Sequence, residues 1–144
     1  MTRPVFATTM PALRGALLLL ACLAAPVRAD VVVIGHPGLP RVDAATVQKI
    51  FTGRVIEVTG IGVTAINMPA GTQAREHFLQ ALMEQNEEKY SAYWTVRRYI
   101  GKGAPPREIT TSAEVIRYVQ NTPGAIGYVE ETDLRPGLNI LLRK

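Results

Sequence analysis

The sequence predicts a three-layer α/β domain, a sheet covered by helices on both faces. Three observations carry that expectation. Val31–Ile34 and Ala125–Val129 are short, almost wholly apolar runs, the pattern of strands buried on both sides as in a parallel sheet. Segments with apolar residues at helical spacing alternate with these runs. No repeat and no low-complexity linker divides residues 30–144, so they read as one domain.

The elements follow in order. Val31–Ile34 is a strand stopped by Gly35-His36-Pro37-Gly38. Asp43 caps a helix through Phe51, with Val47, Ile50 and Phe51 on one face and Gly53 as its end. Val55–Val58 and Ile61–Ile66 flank Thr59-Gly60, which predicts a hairpin leading into a second buried strand. A long helical stretch starts near Thr72 and turns Phe78, Leu79, Leu82 and Met83 to the core. After a break at Gln85-Asn86, a helix carries Tyr90, Tyr93, Trp94, Val96, Arg97 and Ile100 on its richer face. Gly101–Pro106 is a loop by composition. Thr111 and Glu114 form a capping box for a helix bearing Val115, Ile116, Tyr118 and Val119. Asn121–Gly124 is a turn, in which Gly124 is needed, and Gly127 allows close packing on the strand that follows. Leu138–Leu142 is a final strand.

The first 29 residues have the composition of a cleavable secretory signal. Arg3 and Arg14 give a positive start and no acid precedes Asp30. Gly15–Ala25 is an apolar run broken by Pro26, and Val27-Arg28-Ala29 suits cleavage after Ala29. The run is too short to cross a bilayer, which needs about 20 residues. Leu19-Leu20-Ala21-Cys22 loosely resembles a lipoprotein box, so lipidation at Cys22 competes with cleavage. These features predict a periplasmic protein with no stable membrane insertion.

Cleavage changes the charge. The whole chain carries +4, but loss of Arg3, Arg14 and Arg28 leaves 13 basic against 12 acidic residues. A near-neutral domain gives no case for nucleic-acid binding. The single cysteine leaves too, and thiol chemistry with it.

The strand-to-helix step Ile66-Asn67-Met68-Pro69-Ala70-Gly71-Thr72-Gln73-Ala74-Arg75 is the most chemically suggestive segment. A helix start offers unpaired N–H groups and the positive end of the dipole, Gly71 allows close approach, Thr72 adds a hydroxyl and Arg75 a charge. The commoner use of the same residues is plain: Thr72 as an N-cap and Arg75 as a solvated surface residue. His36 and His77 have no metal spacing, and no nucleophile–base set or paired carboxylates stand out, so neither a cofactor nor an enzyme is expected.

Lys49-Ile50-Phe51-Thr52-Gly53, then Ala70-Gly71-Thr72 before a helix with Phe78, then Thr122–Val129 (TPGAIGYV) occur in that order. As an ordered set over most of residues 31–130 they resemble the phosphate-binding periplasmic proteins of ABC importers. Arg75-Glu76-x-Phe78, Tyr93-Trp94 and Gly101–Pro106 resemble a group of short exported members of that kind. The resemblance implies a type II periplasmic-binding-protein fold, as one Rossmann-like lobe. It also implies an anion-binding role for the Gly71–Thr72 helix start, with Asn67, Ala70 and Arg75 beside it and a small anion such as phosphate as partner. Ala70 stands where those proteins carry a serine, and Ile66-Asn67 where they carry an arginine. A single lobe holds an anion weakly, so the alternatives are a homodimer that completes the site, or an accessory protein that docks an envelope partner.

Overall fold

The computed structural model describes residues 1–5 and 30–144; the apolar run, Cys22 and the Ala29 cleavage point lie outside them. The chain opens with strand β1 (Val31–Gly35), every residue of it buried. Helix α1 (Ala44–Phe51) follows, its start fixed by the Asp43 carboxylate, which accepts from the Thr46 N–H at 2.7 Å. Strands β2 (Glu57–Val58) and β3 (Ile61–Gly62) form the hairpin around Thr59 and Gly60. Both turn residues have positive φ, 48° and 80°, as the tight two-residue hairpin turn demands. Strand β4 (Thr64–Asn67) then runs into helix α2 (Gln73–Phe78), which continues as a π-helical turn through Leu79–Met83. Glu84 ends that stretch in the left-handed region (φ 53°), and Asn86 caps helix α3 (Glu87–Tyr99) by accepting from the Lys89 N–H. A two-residue strand β5 (Arg107–Glu108) follows the 101–106 loop, where composition shows no strand. Helix α4 (Ser112–Asn121) starts on Thr111, which accepts from the Glu114 N–H at 3.2 Å. Strands β6 (Ala125–Glu130) and β7 (Asn139–Arg143) close the chain.

The five long-range strands lie in the order β5-β4-β6-β1-β7. β4 is parallel to β5 and β6, whereas β1 is antiparallel to both β6 and β7. The expectation of a parallel setting for Val31–Ile34 is therefore corrected. Burial on both faces comes from the helices above and below the strand, and it does not report strand direction. After β6 the chain crosses back to add β7 on the far side of β1, running parallel to β6, so β1 is the strand that makes the sheet mixed.

α4 covers one face. Gly127 sits so close beneath it that a Cβ there would lie 3.0 Å from Val115 and 3.4 Å from Val119. On the other face α1 and α2 bring Phe51 and Phe78 onto Tyr128, with Phe78 and Tyr128 stacked at 3.9 Å and Phe51–Phe78 tilted at 4.7 Å. Side chains of this size each contribute about 1.5–3 kcal/mol on full burial, so this face anchors the sheet. Gly124 is demanded by both conformation and space. Its φ is +75°, and a Cβ would fall 2.0 Å from the Gly62 carbonyl oxygen.

Candidate functional site

Strand β4 delivers its last residue, Asn67, into the interior at 1% exposure. A buried amide must have partners, and here each of its ends has one. Its Nδ2 donates to the Tyr90 hydroxyl at 3.2 Å, which donates to the Phe51 carbonyl at 2.9 Å. Its Oδ1 accepts from the Tyr128 hydroxyl, and that oxygen accepts from the Met68 N–H at 3.1 Å. The Asn67 carbonyl accepts from Ile109 N–H at 2.9 Å, which ties the strand end to the segment after β5. Burial pushes the Tyr90 hydroxyl up to about 12 and the Tyr128 hydroxyl higher still, so both stay protonated donors.

Beyond Asn67 the chain makes a short turn over Pro69–Thr72. The Thr72 N–H and its hydroxyl both donate to the Pro69 carbonyl, at 3.2 and 2.7 Å. Gly71 is exposed with φ +86°, and nothing lies within 4 Å of where its Cβ would be. Ala70 is exposed as well. Thr72 stands at the N-cap of α2 without a side-chain capping bond. The first N–H groups of the helix, at Gln73, Ala74 and Arg75, thus keep the unpaired state that any helix start imposes.

Arg75 is placed differently from either sequence reading. It is 5% exposed, and its guanidinium turns back under the loop. Nε donates to Glu87 Oε2 at 2.7 Å and Nη2 to Glu87 Oε1 at 2.6 Å, a two-pronged pair. Nη1 donates to the Met68 carbonyl at 2.9 Å and to Glu108 at 3.0 Å. The ring of Tyr90 lies 5.4 Å from Cζ. Burial alone would lower the guanidinium's pKa, but the hydrogen bonds and charge of Glu87, with Glu108, raise it on balance. Burial works against the Glu87 carboxylate too, yet Arg75 and Ser91 hold it below its ordinary value. Both polar atoms of Met68 are thereby held, N–H by Tyr128 and carbonyl by Arg75, and the loop leaves the sheet from a fixed point.

The structure brings Asn67, Ala70, Gly71, Thr72 and Arg75 to one end of the sheet, where the parallel strands β4 and β5 terminate. Asn67 and Arg75 point inward, while Ala70, Gly71 and Thr72 form the outer rim. A recess of about 160 Å³ beside them is lined by Arg75, Tyr90, Ser91, Trp94, Arg98 and Glu108, among others. Sequence pattern gives no hint of Glu87 and Glu108 as partners of Arg75, because they lie 12 and 33 residues away across two changes of element. Elsewhere His36 Nδ1 lies 3.1 Å from the Val119 carbonyl and His77 Nδ1 2.9 Å from Glu130. Among the described residues no group of three or more His, Cys, Asp or Glu is placed to hold a metal, and no helix is long and apolar enough to cross a membrane.

No protein-family model and no curated protein matches this sequence. Solved structures match the fold. An ABC-type phosphate transport receptor from Vibrio cholerae superposes with a TM-score of 0.54 at 8% identity, over 79% of this chain and 46% of its own. For a phosphate ABC transporter substrate-binding protein from Clostridium perfringens, solved with bound phosphate and described as putative, the values are 0.61, 13%, 79% and 45%. For PstS from Borrelia burgdorferi they are 0.58, 19%, 78% and 47%. The chain spans less than half the length of each of these proteins. It has a periplasmic-binding-protein-like α/β fold, and the neighbours described by activity are a receptor and a binding protein rather than enzymes.

Proposed function

We propose that this chain is an exported, non-enzymatic binding domain that takes up a small oxyanion such as phosphate at the Ala70-Gly71-Thr72 helix start. The observation that carries the reading is the rim itself. An exposed glycine with positive φ and three unpaired helix N–H groups stand at the carboxyl end of a parallel strand, on a fold shared with phosphate receptors. Asn67 and Arg75 serve this site from behind by fixing Met68, so the rim is held ready while their own polar groups stay engaged. The Thr72 hydroxyl would exchange its bond to the Pro69 carbonyl for one to the anion. Binding is weak, because the rim faces solvent and a good small-molecule site buries about 70–90% of its ligand. Residues 1–29 act as a cleaved signal that carries the domain to the periplasm.

Calorimetric titration with phosphate, sulfate and small carboxylates tests this. The expected result is millimolar-range binding of an oxyanion that Thr72→Ala weakens. Absence of heat with all three, or binding indifferent to Thr72→Ala, removes the reading. A second copy that completes the site would make the affinity fall on dilution.

A second reading rests on α3. Tyr99 is 91% exposed, with Val96 and Ile100 more than half exposed along the same stretch, while Tyr90 and Trp94 are buried. That outward apolar face supports an accessory role in which the domain docks an envelope protein without ligand. A pull-down from envelope extract that Tyr99→Ser leaves unchanged would count against it.

A further inference from the structure

A second cluster of cations lies away from the rim, where the end of α1 meets α3. Tyr93 anchors it, its hydroxyl donating to the Thr52 carbonyl at 2.6 Å. Two guanidiniums converge on the Tyr93 ring, Arg54 at 5.9 Å and Arg97 at 5.5 Å from the centroid. A recess of about 380 Å³ opens beside them, lined by Gln48, Lys49, Thr52, Arg54, Glu84 and Lys89, among others. That volume falls in the range of about 300–1,000 Å³ usual for small-molecule sites.

None of these cations makes a close ion pair with a described residue. Among the described residues Lys49, Arg54, Lys89 and Arg97 have no carboxylate within 4 Å, and their side chains donate no hydrogen bond to protein. The Nε of Arg97 is buried without an acceptor. Glu84 is the one carboxylate lining the recess, and Lys49 also lies near enough to Asp43 to help Thr46 hold that carboxyl low. Glu87, two residues before Lys89, is engaged with Arg75, and from Lys89 to Arg97 the sequence has no acid. Like charges gathered without partners raise the free energy of the empty protein, and a multiply charged anion relieves that. A single helix start suits one small oxyanion, whereas several cations around a recess of this size suit a longer one.

We propose that this recess binds a small multivalent oxyanion of the polyphosphate class, with Arg54, Lys89 and Lys49 as its ligands and Arg97 supporting Arg54 across Tyr93. The proposal does not rest on the Thr72 rim. Calorimetry on the purified protein with inorganic triphosphate tests it, at constant ionic strength. Triphosphate is expected to bind, and the double variant Arg54→Gln/Lys89→Gln to weaken it by about tenfold or more. Thr72→Ala should leave this affinity unchanged, which separates the two sites. So should Arg117→Gln/Lys102→Gln, two cations outside the recess, with circular dichroism confirming that every variant is folded. Absence of triphosphate binding overturns the proposal, as does equal loss in the Arg117/Lys102 variant, which would mark diffuse attraction. Binding of a poly-glutamate peptide in preference to triphosphate overturns it in favour of an acidic protein partner.

Discussion

Arg75 and Arg54 carry the same guanidinium into opposite circumstances. Arg75 is buried and spends its donors on two carboxylates and a carbonyl. Arg54 lies exposed on an aromatic ring with no carboxylate within reach. A paired buried charge belongs to the architecture, since it has little left to offer a ligand and its removal strands its partners. An unpaired exposed charge contributes little to folding and is free for something else. The two sites therefore answer differently to the same chemical change.

Arg75→Ala should produce the largest effect. It strands the Glu87 carboxylate and the Met68 carbonyl and undercuts the loop. Breaking a buried pair costs about 3–5 kcal/mol, and the partial exposure of Glu87 and Glu108 reduces that to about 2–3 kcal/mol here. The urea midpoint checks it, and Arg75→Lys should recover only a minor part, because an ammonium cannot bridge both Glu87 oxygens. The pair also shapes the acid limb. Glu87 titrates lower in the folded state than its ordinary 4.5, so its contribution is present above that value and lost as pH falls through the folded one. Arg75→Ala should flatten that loss. A variant as stable as the parent would move Arg75 from the architecture to the ligand site.

Tyr90→Phe comes next, at about 1–2 kcal/mol, for the lost bonds to Phe51 and Asn67. It has a distinct signature at high pH. Tyr90 ionises at about 12 when folded and at 10 when unfolded. A raised value means stability that is intact below pH 10 and drains away as pH rises through about 12. The variant should lose less than the parent over that interval, with Tyr128 supplying the remainder.

The same contrast marks how far the residues could be read from their order. Apolar periodicity placed α1, α2, α4, β1 and β6, because a core-facing stripe leaves its period in the sequence. Asp43, Thr111 and the Thr59-Gly60 turn were legible because caps and tight turns act over a few residues. The antiparallel setting of β1 was not, since a doubly buried strand looks the same in either direction. β5 was hidden because two residues, Arg107 and Glu108, carry no period. At the rim, Gly71 and Thr72 were visible as a local step, but the fate of Arg75 depended on Glu87 and Glu108, which only tertiary folding brings near. The Tyr93 cations likewise come from α1, its following loop and α3.

The smallest effect on folding is expected where the proposed binding effect is largest. Arg54→Gln/Lys89→Gln removes two exposed charges that make no hydrogen bond and no ion pair, so its stability should differ from the parent by less than about 0.5 kcal/mol. Relief of repulsion among Lys49, Arg54, Lys89 and Arg97 even allows a small gain at low ionic strength, which added salt should erase. A urea series at two salt concentrations measures both. A loss of about 2 kcal/mol would mean that Arg54 on Tyr93 holds α1 against α3, and the distinction between the two arginines would collapse. A neutral result leaves the cations of this recess without a structural duty and free to serve a ligand, which the triphosphate titration then decides.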